Sequence, residues 1–539
     1  MTVAKKIHAP PAYGVTRKII SQWIGLVLII LVICASHKAT TADPGKTGVS
    51  GNNDQLMVCL PSDMDSLDPT GHRSRITQIV LKNIFDSLTA RDSNNEVIPQ
   101  LAESWRIIDD TQWQFKLRRG IRFHNGDILT ASDVKFTLDR ITREGALDGS
   151  TSPRKSLLEA ISEVVVEDDY TVTIKTFYPW PNLPLMLSLQ EIVPATYIQR
   201  VGTEGFEAQP VGTGPFRFIR KVSGKAIYLE RFNDYYGGSP LRPPVQAAPL
   251  KKIIFKVEPS SLAQLAMLKT GQCDILFDLP PESIPILEMS PHIRIIKIPA
   301  TKSYFAEINC AKPPFNDIRV RKALNYAVDI EEIIRNKVQG HGKALSTVLL
   351  PNAFGHNRYL QPYPYNPSIA RQLLDAAAYP DDRPIAIYSD RDDSVLADSI
   401  ALYLTKLGLR TSMTIAPSSR PQVTGADAPW DIFVGSWGNS TLDPVGILPP
   451  KFKSQAQGNF SGFASKALDS LMSQAQSTMD EATRAGYYYQ IQAIIYEEVP
   501  MIFGYAPDEY YAIAERVRNF MPSSTGMIEL HDVYVDGRE

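Results

Sequence analysis

Apolar and polar positions along this chain mark a mixed α/β protein. Leu56–Leu60 reads as a first strand, and Trp113, Phe115 and Leu117 alternate with polar residues at the two-residue period of a half-buried strand. Val164–Val166 and Thr171–Ile174 flank Glu-Asp-Asp-Tyr and predict a hairpin. Thr130 followed by Asp133 resembles a capping box that opens a helix through Arg140. Ser260 and Gly271 bracket a second helix carrying Leu262, Leu265 and Leu268. Beyond residue 300, Val320, Ala323, Leu324, Ala327 and Val328 have one-face helical spacing, and Asp329 with Glu332 restarts a helix through Val338.

The pattern then becomes strand, helix, strand: Ile385–Tyr388, Val395–Leu407 closed by Gly408, and Thr411–Ala416. A crossover of this length predicts a parallel pair. Trp430–Ser436 predicts another strand, ending in the polar loop Trp437-Gly438-Asn439-Ser440-Thr441. Ligands of open α/β sheets sit beyond the carboxyl ends of strands, so topology alone makes this loop a candidate site. Helices near Lys466–Gln476 and Glu481–Glu498 follow, then an extended segment, Met501–Val517. The layout fits two α/β lobes, the second inserted into the first.

The N-terminus carries a different pattern. Arg17 and Lys18 precede the apolar run Trp23–Ala35, and small residues lead to Ala42. A basic segment, a short apolar core and a small-residue exit describe a secretory signal peptide, and the run is shorter than the roughly 20 residues that span a bilayer. An uncleaved anchor is the alternative. Ile33 stands where a lipidated Cys34 would need a small residue. Asp43–Asp54 reads as a flexible leader, and everything after it as extracytoplasmic.

Composition narrows the function. A net charge of −2 leaves no basic surplus for nucleic acid. The His residues are scattered, with no HExxH, CxxC, GxSxG or P-loop pattern, so no catalytic or metal constellation is visible. Asp63, Asp65 and Asp68 lack the glycine and glutamate of an EF-hand and read as a turn with side-chain caps. Of the four cysteines, Cys59, Cys273 and Cys310 follow the leader, an odd number that admits one bridge and one thiol.

The stretch Ala102–Arg140, AESWRIIDDTQWQFKLRRGIRFHNGDILTASDVKFTLDR, resembles the family 5 extracytoplasmic solute-binding proteins, the dipeptide- and oligopeptide-binding group of ABC importers. Leu67-Asp68-Pro69, Gly212-Thr213-Gly214-Pro215-Phe216, Pro314-Phe315-Asn316-Asp317, Asp443-Pro444 and Asn459-Phe460-Ser461-Gly462-Phe463 extend the likeness over about residues 55 to 520. The resemblance implies the type II periplasmic binding protein fold: two hinge-linked α/β lobes with an extra subdomain in the first. It assigns 1–42 to the signal peptide, 43–54 to the leader, 55–300 to lobe I with the subdomain at roughly 85–210, 301–502 to lobe II, and 503–539 to the return into lobe I.

The resemblance also implies a periplasmic, monomeric receptor that captures peptides and passes them to a permease pair with ATP-binding subunits. No cofactor, metal or catalytic residue is implied. Ligand contacts are expected from Arg75, Thr77, Arg391, Gly435, Trp437, Asn439 and Ser440, and a disulfide from Cys59 and Cys273. Ser440 departs from the pattern, because peptide-binding members place an Asp there against the ligand ammonium group, and Arg391 sits a few residues early for the carboxylate-binding Arg. Those departures open alternatives: a longer peptide, a blocked or acidic ligand, or an opine- or sugar-derived compound; the same fold also admits haem or a nickel chelate.

Overall fold

The computed structural model describes residues 54–536, apart from 242–246, 381, 392, 417–422, 440 and 524. The expected signal peptide and Ser440 lie outside the described residues.

Two large sheets organise the chain. The first is seven-stranded, in the order Ile293–Ile298, Glu509–Ala514, Ile275–Leu276, Gln55–Leu60, Lys252–Val257, Ala226–Arg231, Phe216–Val222. Gln55–Leu60 is parallel to its neighbours on both sides, and the other pairs are antiparallel. The helix Arg75–Leu81 packs Ile79, Val80 and Leu81 into the core under this sheet. The second sheet is six-stranded, in the order Gly342–Ala344, Met501–Pro507, Lys302–Ile308, Ile432–Gly438, Ile385–Ser389, Thr411–Ile415. Its strand–helix–strand unit is Ile385–Ser389, the helix Ser394–Lys406 and Thr411–Ile415, with the two strands parallel as the crossover predicts.

The chain passes between these sheets twice, at Pro299–Thr301 and at the single residue Asp508. The segment read from sequence as continuously extended, Met501–Val517, is therefore two long strands in different sheets. The return to the first sheet comes at Glu509, later than the expected 503, because all of Met501–Pro507 pairs with Lys302–Ile308 and Gly342–Ala344.

A third sheet, ordered Ala102–Asp109, Gln112–Leu117, Thr171–Thr176, Ile161–Asp168, makes the subdomain. Its core gathers Trp113, Phe115, Val134, Leu138, Val164, Val172 and Ile174. The capping box forms: Asp133 accepts from the Thr130 N–H at 2.8 Å, and its other oxygen accepts from the Ala195 N–H at 2.8 Å. His124 ties the subdomain to the Gly212–Phe216 loop. Its Nδ1 accepts from the Gly212 N–H at 3.2 Å and its Nε2 lies 3.0 Å from the Gly214 carbonyl. Burial holds this imidazole down at about 4, so it stays neutral in both contacts. Gly212 is obligatory here, since a Cβ would stand 2.1 Å from the Ile84 carbonyl oxygen.

The aspartates read as a turn are just that in part. Asp63 caps the Met64 and Gly224 N–H groups, while Asp68 forms a buried pair with Arg140 at 2.6 Å. Cys59 and Cys273 are both buried thiols here, so the expected disulfide is not formed, although its two cysteines are brought together. The cysteines do face one another within hydrogen-bond reach, but the Cys273 thiol is directed to the Ile275 carbonyl at 3.2 Å and no S–S bond joins them.

Candidate functional site

A cavity of about 580 Å³ lies between the two large sheets. The first lobe and its subdomain contribute Arg75, Lys82, Asp86, Arg91 and Arg154; the second contributes Lys302, Trp437, Gly438, Asn439 and Thr441; the segment Asn519–Asp532 lines a further wall. The strand Ile432–Gly438 reaches the cavity because its partner Ile385–Ser389 stops opposite Val434. Past that point its backbone is paired on one side only, with Lys302–Phe305.

Trp437 lines the cavity with its indole fixed from behind. Its Nε1 donates to the Gly446 carbonyl at 2.8 Å, and the Lys451 ammonium lies 4.7 Å from its ring. Lys451 is itself buried against Glu307 at 2.6 Å, and Glu307 also accepts the N–H groups of Phe460 and Ser461. Asn439 lines the cavity too, but its amide is occupied: Nδ2 donates to the Asp443 carbonyl at 2.9 Å and Oδ1 accepts from the Thr441 hydroxyl at 2.6 Å.

Arg75 stands where both crossings meet. It pairs with Asp278 at 3.3 Å and with Glu509 at 3.0 Å, and Glu509 also accepts from the Thr301 N–H at 2.9 Å and from the Thr301 hydroxyl. Burial alone would lower the Arg75 pKa, but Asp278 and Glu509 outweigh it and raise it. Arg75 thus pairs with Glu509, the residue after the Asp508 crossing, and through that carboxylate is linked to Thr301 of the other crossing.

Three other expected residues sit elsewhere. Thr77 is buried in its helix, where its hydroxyl accepts from the Asp65 N–H at 2.9 Å, so it faces the core and not the cavity. Arg391 is exposed in the turn before the helix Ser394–Lys406, its carbonyl accepting from the Ser394 hydroxyl. Gly435 lies two residues short of Trp437, the first cavity-lining residue of its strand, and stands opposite Phe305. Sequence reasoning missed Lys82, Asp86, Arg91, Arg154 and the whole Asn519–Asp532 wall, none of which carries a periodic or motif signal.

Closing contacts join the subdomain to the second lobe. Arg91 Nη1 and Asn95 Nδ2 donate to the Thr441 carbonyl at 3.2 and 3.3 Å. Asn182, buried, accepts from Arg484 and donates to Asp443 at 3.3 Å. Among the described residues no group of three or more His, Cys, Asp or Glu could hold a metal ion, and no helix is long and apolar enough to cross a membrane.

The geometry can be set beside known proteins. The model of the bacterial extracellular solute-binding proteins, family 5 Middle, matches residues 96–459. The chain is 26% identical over 483 residues to heme-binding protein A of Haemophilus influenzae, covering 83% of this chain and 86% of that protein. It is 27% identical over 464 residues to the glutathione-binding protein GsiB of Pectobacterium atrosepticum, covering 83% and 87%. Among solved structures, the periplasmic binding protein DppA of Helicobacter pylori in complex with the peptide STSA matches with a TM-score of 0.75 and 23% identity, over 89% of this chain and 98% of that one. The last likeness shows the type II two-lobed fold.

Proposed function

The chain belongs to the bacterial extracellular solute-binding proteins of family 5, the receptor subunits of ABC importers, and from that premise we propose that it captures short peptides between its lobes and delivers them to a membrane permease. One observation carries the reading. The cavity of about 580 Å³ is bounded by both lobes and presents the one-sided strand end at Trp437 and Gly438. A cavity in the range of about 300–1,000 Å³ suits a ligand of a few residues. An unpaired strand edge satisfies a peptide backbone by adding it as a further strand. The names of the relatives supply concrete candidates, with glutathione, a tripeptide, the first to test.

Haem, which another relative's name carries, is less well served. His531 is the imidazole among the described residues lining the cavity, and it already packs against the Tyr235 ring and contacts Asp532. The N-terminal leader directs export to the periplasm, where the mature receptor acts as a monomer.

The test is native mass spectrometry of the full chain expressed with its leader and purified from the periplasm, followed by calorimetry with glutathione and di- to tetrapeptides. The expected result is a retained peptide-sized mass and binding of at least one peptide. A retained non-peptide ligand together with no response to the peptides would sink the reading.

A further inference from the structure

The wall of the cavity beneath the helix Arg75–Leu81 is over-supplied with positive charge. Arg154 is buried, yet its two hydrogen bonds run to neutral acceptors, the Gln78 side-chain oxygen at 3.1 Å and the Leu189 carbonyl. Its buried Nε has no partner. A guanidinium taken out of water needs an anion or a full set of acceptors, and Arg154 has neither. The carboxylate that acts on it, Glu191, is joined to it through Gln78, whose amide nitrogen donates to Glu191, and Glu191 is already paired with Lys82 at 3.2 Å. Burial holds the Arg154 guanidinium below its usual range; Glu191 works against that, and the like charge of Arg73 adds to it.

Arg73 lies at the same wall and donates to the Ser156 hydroxyl at 3.2 Å; no carboxylate pairs with it among the described residues. Asp86 faces Lys82 from the other side, and burial pushes its pKa up to about 6. Three cations therefore stand against at most two carboxylates in a partly dry pocket. The guanidinium fork matches a planar oxyanion better than any other partner.

We infer that Arg73 and Arg154 form an anion subsite of the cavity, with Arg154 as the buried anchor and Arg73 at the mouth, which holds an acid group of the ligand. In the peptide reading, on which this deepening rests, the acid is a side-chain or terminal carboxylate. The ligand's charge completes the coordination that the protein leaves open on Arg154.

The experiment is calorimetry on the full-length exported protein and its Arg73→Gln and Arg154→Gln variants, with each refolded free of bound ligand. The probes are matched pairs: Ala-Glu-Ala amide against Ala-Gln-Ala amide, tri-alanine against its amide, and glutathione against its ethyl ester, with citrate as a non-peptide acid. The wild type should prefer the acid of at least one pair. Arg154→Gln should weaken that probe by about tenfold or more, as expected for a charge-assisted bond in a dry site. Arg73→Gln, at an exposed position that folding does not depend on, should weaken it about threefold, with the acid-blocked partner unchanged.

Peptide binding without acid preference, or an acid preference undiminished in both Arg73→Gln and Arg154→Gln, overturns the subsite and leaves the peptide reading standing. Binding of citrate but of no peptide, weakened in Arg73→Gln, keeps the subsite and sinks the peptide reading. Binding of no probe at all overturns both.

Discussion

Asn182→Ala should loosen the closed form without weakening either lobe. Asn182 belongs to the subdomain side, and its two partners, Arg484 and Asp443, belong to the second lobe. The substitution removes one bond donated by a guanidinium and one accepted by a carboxylate, both buried. Such bonds contribute about 1.5–3 kcal/mol each. The loss is only partial, because Arg484 and Asp443 already lie 4.0 Å apart and can pair with one another. A net cost near ~2 kcal/mol follows, and it falls on the closed form alone, since opening exposes all three groups to water. Ligand held between the lobes draws its affinity from the closed population, so affinity should drop by about 15-fold if the wild type is balanced near equal populations, by about 30-fold if the open form already dominates, and by less if closure is strongly favoured. Small-angle scattering would read a larger radius of gyration for the ligand-free variant, calorimetry the lost affinity, and thermal unfolding a nearly unchanged midpoint. Unchanged radius and unchanged affinity would refute the reasoning. A collapse of the midpoint would show that these bonds serve folding and not closure.

Other consequences are equally direct. Lys451→Met strands Glu307, which is buried beside it at 2.6 Å, and should cost about 3–5 kcal/mol in urea unfolding; Glu307→Gln with Lys451→Met should recover part of it. Asp86 has a folded pKa raised to about 6 by burial, so the native state binds its proton more tightly than the unfolded chain does. Its contribution to stability therefore falls as pH rises from about 4 to about 6, and the stability gap between Asp86→Asn and wild type should shift in favour of the variant over that window and level off above it. Cys59, in the first strand, and Cys273, just before the strand Ile275–Leu276, face one another as thiols. Oxidation with copper phenanthroline should join them, lower the thiol count on denatured protein by two, and raise the unfolding midpoint, the chain-entropy gain for so long a loop being roughly 4–5 kcal/mol before strain. A Cys310 pairing in their place would contradict the fold.

The sequence showed the crossover at Ile385–Ile415 because strand and helix periods alternate there without interruption. It showed the helix Ser261–Lys269 but not its face. Leu262 and Leu268 are six residues apart, about 240° around a helix of 100° per residue, and they end on opposite sides, 80% and 3% exposed. The run after Met501 hid its break for the opposite reason. Met501–Ala506 and Tyr510–Ala512 are buried throughout, so no alternation marks Asp508 as the place where the chain changes sheet. Arg154 was illegible because it precedes a single turn of 3-10 helix, where nothing periodic distinguishes a cavity cation from a surface one.

The residues that identify the family and those that would select the ligand are largely different residues. His124 spends both ring nitrogens on the Gly212 and Gly214 backbone, and Asn459-Phe460-Ser461-Gly462-Phe463 offers its N–H groups to Glu307. Each of these motif positions builds scaffold, and none lines the cavity. The cavity charges, Arg73, Lys82, Asp86 and Arg154, sit on short or irregular elements that the scaffold merely holds in place. A change there would leave those motif positions untouched, so membership of the family does not by itself name the ligand. For this chain the ligand class is therefore better argued from the charge balance of the cavity wall than from motif identity, which is the basis of the acid subsite proposed above.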